Sequence, residues 1–322
     1  MRLALISLVI PLAVGCVNDD ADKPVRMDTD SDTDADTDTD TDTSSDTGGS
    51  PDTGPIPGES IFGHRDFIEY IPGDLPIILA APHGGYLEPE DLPTIDDHGR
   101  DNNTQETTRA VGEWLALLTG RQPHIIINHL HADKLNAARD IDEAAGEHPD
   151  ARLAWEEFHA FIETAKTDIT ETWGAGHYVD VHTNGHSEGW NEIGLGVSAD
   201  ILNGSDEGII ERCDLSTVAN LCGPGGAEML EIIRGETSLG GLLRASGYLS
   251  VPSPDIPSPG EGGFFYAGWN TWAHGSRHGG TIDATHLENH WTFMVDDERE
   301  DFSLAIATGL QDFMVVHYGV GL

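Results

Sequence analysis

The chain has 322 residues, with 16 Lys and Arg against 57 Asp and Glu, a formal charge of −41 and a pI near 4.3. A surface of that sign repels phosphate backbones and anionic bilayers, which excludes nucleic-acid binding and electrostatic membrane docking. The length suits one large domain or two small ones.

The N-terminus reads as an export signal. Arg2 supplies a positive start, and the apolar run from Leu3 to Val14 is too short to span a bilayer. Ala13-Val14-Gly15-Cys16 resembles the lipobox of bacterial lipoproteins, which implies processing at residue 16 and lipidation of Cys16. The alternative is an ordinary cleaved signal. The chain is thus expected to be exported and lipid-anchored in the bacterial cell envelope, touching the membrane only through that anchor.

Residues 17–57 form a low-complexity tract of Asp-Thr repeats followed by Ser, Gly and Pro. Such a composition cannot bury a core, so a disordered, self-repelling tether is expected. Its 13 Asp against Lys23 and Arg26 leave it at −11; allowing for Arg2, the domain expected over 58–322 carries −31. Besides Cys16 only Cys213 and Cys222 remain, a pair suited to a local disulfide in an exported protein and too few for a zinc site.

From Pro76 to Pro82 an apolar run of strand length breaks at His83-Gly84-Gly85. Asn103-x-x-Glu106 opens a helical pattern with Ala110, Val111, Trp114, Leu115 and Leu118 on one face, ending at Gly120. Asn-x-x-Glu is also a capping box, which accounts for Glu106 without further function. Pro123 to Leu130 predicts a second buried strand, followed by a charged segment holding Arg139, a residue type that clamps carboxylates. Asp150 to Ile169 is an amphipathic helix. Tyr178 to His182 predicts the next strand, which breaks into a polar turn carrying His186, Ser187 and Glu188.

Residues 200–247 are harder to divide; Leu239 to Ala245 reads as helix and the Cys213–Cys222 loop as an excursion. The glycine-rich stretch 268–280, with His274 and Arg277, reads as a loop forming a substrate wall. Gly280 to His290 predicts a last strand with Ile282, Ala284, His286 and Glu288 on one face; a Glu there costs several kcal/mol unless paired or functional. Arg299 to His317 closes the chain as a helix. Alternating strands and helices predict an α/β fold with a mainly parallel sheet covered on both faces.

Gly185-His-Ser187-Glu-Gly189 satisfies the G-x-S-x-G pattern of serine hydrolases, but that elbow needs a helix directly after the serine. Here a glycine-broken, strand-like segment follows. A metal centre fits better, since catalytic zinc commonly takes two His and one carboxylate and keeps a position for water. His83, Glu106 and His182 lie near strand ends and offer that set.

Ala-Pro-His83-Gly-Gly, Asp101-Asn-Asn-Thr-Gln-Glu106, Leu135-Asn-Ala-Ala-Arg139-Asp140, Asp180-Val-His182 and Leu287-Glu288 occur in an order that resembles the N-formylglutamate amidohydrolase family, similar in fold to zinc carboxypeptidases. The resemblance spans most of 62–317. It implies a three-layer α/β/α sandwich around a mixed, mainly parallel sheet (phosphorylase/hydrolase-like) and zinc-dependent hydrolysis of an amide bond in a small N-acyl amino acid or peptide. Carried over by position, His83, Glu106 and His182 hold one Zn2+ per chain. Glu288 is the base that activates water and later gives the proton to the leaving amine, and Arg139 binds a carboxylate or oxyanion. Asp180 would orient a ligand histidine from behind. His186, His274 and Arg277 would contact substrate. The competing reading is a non-catalytic surface module that uses Trp190, Trp269 and Trp272 in the same cleft.

Overall fold

The computed structural model describes residues 54–95 and 99–322; the expected signal, the lipidation of Cys16 and nearly all of the tether lie outside the described residues. Eight strands form one mixed sheet: β1 (Ile61–Phe62), β2 (Ile68–Ile71), β3 (Ile77–Ala81), β4 (His124–Asn128), β5 (Gly176–Asn184), β6 (Asn191–Gly194), β7 (Ser250–Val251) and β8 (Ile282–His290). Their spatial order is β1-β2-β4-β3-β5-β8-β6-β7. The inner four, β4, β3, β5 and β8, run parallel, and β2 and β6 flank them antiparallel.

The parallel strands are buried along their whole length because helices cover both faces. On one face Val179, Val181 and Leu287 pack with Val111 and Leu115 of the helix Thr104–Thr119 and with Phe302, Ile306 and Leu310 of the helix Asp296–Phe313. On the other, Tyr178, Ile282 and Ala284 pack with Ala154, Phe158, Ile162 and Ala165 of the helix Pro149–Trp173. That helix begins on a proline, whose missing N–H costs nothing in a first turn, and ends at Gly174 with positive φ.

The four predicted strands and four longer predicted helical segments are present, so the expected three-layer α/β architecture stands. The capping box at Asn103 is not formed: Asn103 is left-handed (φ 67°) and its side chain makes no cap bond. The stretch 268–280 is not an open loop but the helix Trp269–His274 followed by a 3-10 turn at Ser276–His278. Between β6 and β7 the excursion is closed by the Cys213–Cys222 disulfide, with Cα atoms 5.7 Å apart. The excursion docks on β8, where Thr217 Oγ1 donates to the Ala284 carbonyl at 2.6 Å and the Ala284 N–H donates to the Thr217 carbonyl at 2.9 Å. No described helix is long and apolar enough to cross a membrane.

Candidate metal centre

The C-terminal ends of parallel strands are where an open α/β sheet gathers functional groups. β3 delivers His83 two residues past its end, β5 delivers Asp180 and His182, and β8 delivers His286 and Glu288. In the β5–β8 register Asp180 stands beside His286 and His182 beside Glu288. Strand alternation turns these four side chains to one face, opposite Val179, Val181 and Leu287. All four are buried.

His83, Asp101 and His182 form a buried group with ligand-type atoms within 4.8 Å of one another. His83 Nδ1 lies 3.4 Å and His182 Nδ1 3.1 Å from Asp101 Oδ2. The opposite nitrogens are spoken for: His83 Nε2 donates to Asn136 Oδ1 at 2.6 Å, and His182 Nε2 donates to Asp180 Oδ2 at 3.0 Å. These bonds favour protonation of both rings on Nε2, which would leave each Nδ1 to coordinate an ion shared with Asp101. Two imidazoles oriented from behind and one carboxylate, all three buried, fit a divalent cation of the zinc type. Asp180 is itself held, accepting from Tyr178 Oη at 2.7 Å and Asn270 Nδ2 at 3.1 Å through its other oxygen.

A second group, Asp180, His182 and His286, shares His182. His286 Nε2 donates to Glu288 Oε1 at 3.1 Å. Burial and the neighbouring His182 push the His286 imidazole down, yet Asp180 and Glu288 outweigh them and raise it to about 9. Burial alone would raise the Asp180 carboxyl; His182 and His286 hold it well below the usual carboxylate range. Asp101 behaves likewise, with His182 and His83 overriding the effect of burial. The centre is thus an alternation of acids and imidazoles in which Asp180 and Asp101 are held ionised by their neighbours.

Glu106 does not join the group. Its Oε1 accepts from Tyr86 Oη at 2.6 Å, and Asp101, five residues earlier, supplies the carboxylate. The left-handed Asn103 between them separates the Asp101 loop from the first helical turn that carries Glu106. Arg139 is half-buried in the connection after β4, its carbonyl accepting from Trp155 Nε1 at 2.9 Å. His186 lies at the same end of the sheet, bonded to Glu192.

Two expected substrate contacts are misplaced. His274 is buried, with Nε2 2.8 Å from His159 Nδ1 and Nδ1 donating to Glu163 Oε1 at 2.9 Å, so it cannot form a cleft wall. Arg277 precedes β8, at the opposite end of the sheet from Glu288, with its guanidinium 4.2 Å over the Trp272 ring. The serine-elbow pattern also fails, since β6 and not a helix follows the exposed Ser187. Residue type alone assigns no role to Asp101, Asn136, Asn270, Glu192 or His286; Asp101 and Asn136 stand inside the motifs of the family resemblance, and His286 shares the strand face of Glu288.

No protein-family model and no curated protein matches the chain. Among solved structures, N-formylglutamate amidohydrolase from Ralstonia eutropha is similar at 14% identity and a TM-score of 0.46, covering 76% of this chain and 95% of that one. Gene product Atu2144 from Agrobacterium tumefaciens is similar at 12% identity and a TM-score of 0.41, covering 76% and 89%.

Proposed function

We propose that the protein is a zinc-dependent hydrolase that cleaves an amide bond in a small N-acyl amino acid or peptide. The observation that carries this reading is the buried triad His83, Asp101 and His182 beside Glu288, a carboxylate in register with one of the ligands. The order of the sequence motifs, which resembles that of N-formylglutamate amidohydrolases, supports it.

His83, Asp101 and His182 would hold the ion, which when bound supplies Lewis acidity toward the scissile carbonyl and toward water. Glu288 is the base: it takes a proton from the attacking water, and His286 fixes its rotamer through Oε1. Asp180 and Asn136 keep the two ligand histidines in one tautomer and one orientation. Arg139 would bind the carboxylate of the substrate. An acidic tether and a lipidated Cys16 would place this activity in the cell envelope.

Metal analysis of the purified chain, combined with a hydrolysis screen of N-acyl amino acids and peptides, tests the reading. About one zinc per chain and activity lost on chelation are expected. A metal-free chain that neither binds added zinc nor hydrolyses any substrate would overturn it. Turnover that survives full chelation would do the same.

A further inference from the structure

Beside the candidate centre stands a second acid–imidazole pair. The turn after β5 carries His186, β6 carries Glu192, and His186 Nδ1 donates to Glu192 Oε1 at 2.6 Å. Glu192 is fully buried, and its Oε2 accepts the Phe265 backbone N–H at 2.6 Å. With both oxygens committed as acceptors, the carboxylate pins a proton on Nδ1. Nε2 is then the ring atom left to gain and lose one.

The ring is clamped as well as polarised. Phe265 stacks on it with centroids 5.0 Å apart and planes 24° apart. Gly263 approaches so closely that a Cβ there would fall 2.4 Å from Nδ1. Nevertheless 30% of the His186 side chain stays exposed, so the imidazole exchanges protons with solvent while its buried partner does not.

Its place in the sheet gives the pair a use. Glu192 is the direct cross-strand partner of Glu288, which puts the pair next to the base. Of the charged groups that act on His186, Glu192 raises its pKa most; burial lowers it, and Glu288 and Glu188 raise it further. His290, at the end of β8, also faces it, through the His186 backbone.

We propose that His186, oriented by Glu192, is the acid that protonates the leaving nitrogen, so that acid and base duties are divided between His186 and Glu288. The inference rests on the amide-hydrolysis reading. In the step, Glu288 takes one proton from water as the new C–O bond forms. The C–N bond then breaks with its electron pair going to nitrogen, which takes the proton from His186 Nε2. The products are a carboxylic acid and an amine; Glu288 returns its proton to solvent and His186 recovers one, so one water is consumed and nothing is oxidised.

Leaving-group dependence tests this, because an alkoxide needs far less help from an acid than an amide nitrogen does. The probes are two matched pairs: N-formyl-L-glutamate with O-formyl-2-hydroxyglutarate, and hippuryl-phenylalanine with hippuryl-phenyllactate. His186→Gln should lower kcat on the amide about a hundredfold or more and on the matching ester less than about fivefold, with zinc content unchanged. Glu192→Gln should move the alkaline limb of the amide kcat/KM profile to lower pH, since the charge that raises His186 is gone. A parallel fall on amide and ester, or an alkaline limb that stays in place, would overturn the assignment while the hydrolase reading stands. Wild-type protein that holds zinc but turns over none of the four probes would overturn both.

Discussion

His182 on β5 and Glu288 on β8 are direct neighbours across a parallel strand pair, and their side chains leave the sheet on the same face. A candidate ligand and a candidate base are therefore separated by one inter-strand spacing, about 5 Å. Hydrogen-bonded backbone on both sides holds that spacing, not a loop.

Replacing the candidate base should separate chemistry from binding. Glu288→Gln keeps the side-chain shape but cannot take a proton. Amide hydrolysis is expected to fall by a factor of about 10²–10⁴, with zinc stoichiometry measured by elemental analysis unchanged. Full activity in this variant would remove Glu288 from the mechanism.

The two candidate carboxylates give opposite results on metal affinity. Asp101→Ala should weaken zinc binding by more than about a hundredfold, because losing an orienting partner alone costs about 10–100-fold. Glu106→Gln should change it by less than about threefold, its carboxylate being bonded to Tyr86. Competition with a chromophoric chelator measures both, and the reverse ranking would return Glu106 to the ligand set.

Asp180→Asn tests the orienting layer. The variant replaces an acceptor that His182 Nε2, Tyr178 and Asn270 all use. A loss of zinc affinity of about 10–100-fold is expected, without loss of fold by circular dichroism. An unchanged affinity would show that the tautomer of His182 is set elsewhere.

A buried acid far from the centre should leave a signature in stability. Burial raises Asp283 to about 6, although Ser276, Asn220 and Tyr318 donate to it. Its folded-state pKa lies above the unfolded value near 3.8, so its protonated form stabilises the fold. That contribution is complete below about pH 4 and is lost as pH rises through about 6, amounting to about 3 kcal/mol. Thermal melts of wild type and Asp283→Asn from pH 4 to 7 should differ in slope across this window, the wild type losing more. Parallel curves would mean the carboxyl titrates normally.

The excursion between β6 and β7 depends on its disulfide. Closing a loop with sequence separation 9 contributes about 2–3 kcal/mol in the chain-entropy description. The Cys213→Ser/Cys222→Ser double variant should show a lowered Tm with zinc content retained. An unaltered Tm would mean that the docking of Thr217 on β8 holds the excursion unaided.

The parts legible in sequence are those where one physical signal dominates. β3, β4, β5 and β8 announce themselves because burial on both faces demands apolar runs with little polar interruption. β2 hides a buried Glu69, neutralised by Arg109 and His129, which breaks the pattern; β6 hides Asn191 and Glu192 in the same way. His83 and His182 could be read as neighbours of one group because each sits where such a run meets polar sequence. Asp101 against Glu106 could not, since Asn-x-x-Glu reads as a capping box, whereas Asn103 takes the left-handed conformation that asparagine tolerates. The glycines around His274 suggest a loop, whereas Gly268 and Gly275 bound a short helix that turns the imidazole inward.

The mixed origin of the centre has an evolutionary consequence. His182, Asp180, His286 and Glu288 hang from nine paired positions between β5 and β8, so a single-residue slip of either strand would turn its two groups away from the other two. Asp101 and His186 come from connections, where insertions and deletions are tolerated. Change is therefore easier at the rims than in the row of groups at the middle, which one strand pair fixes together.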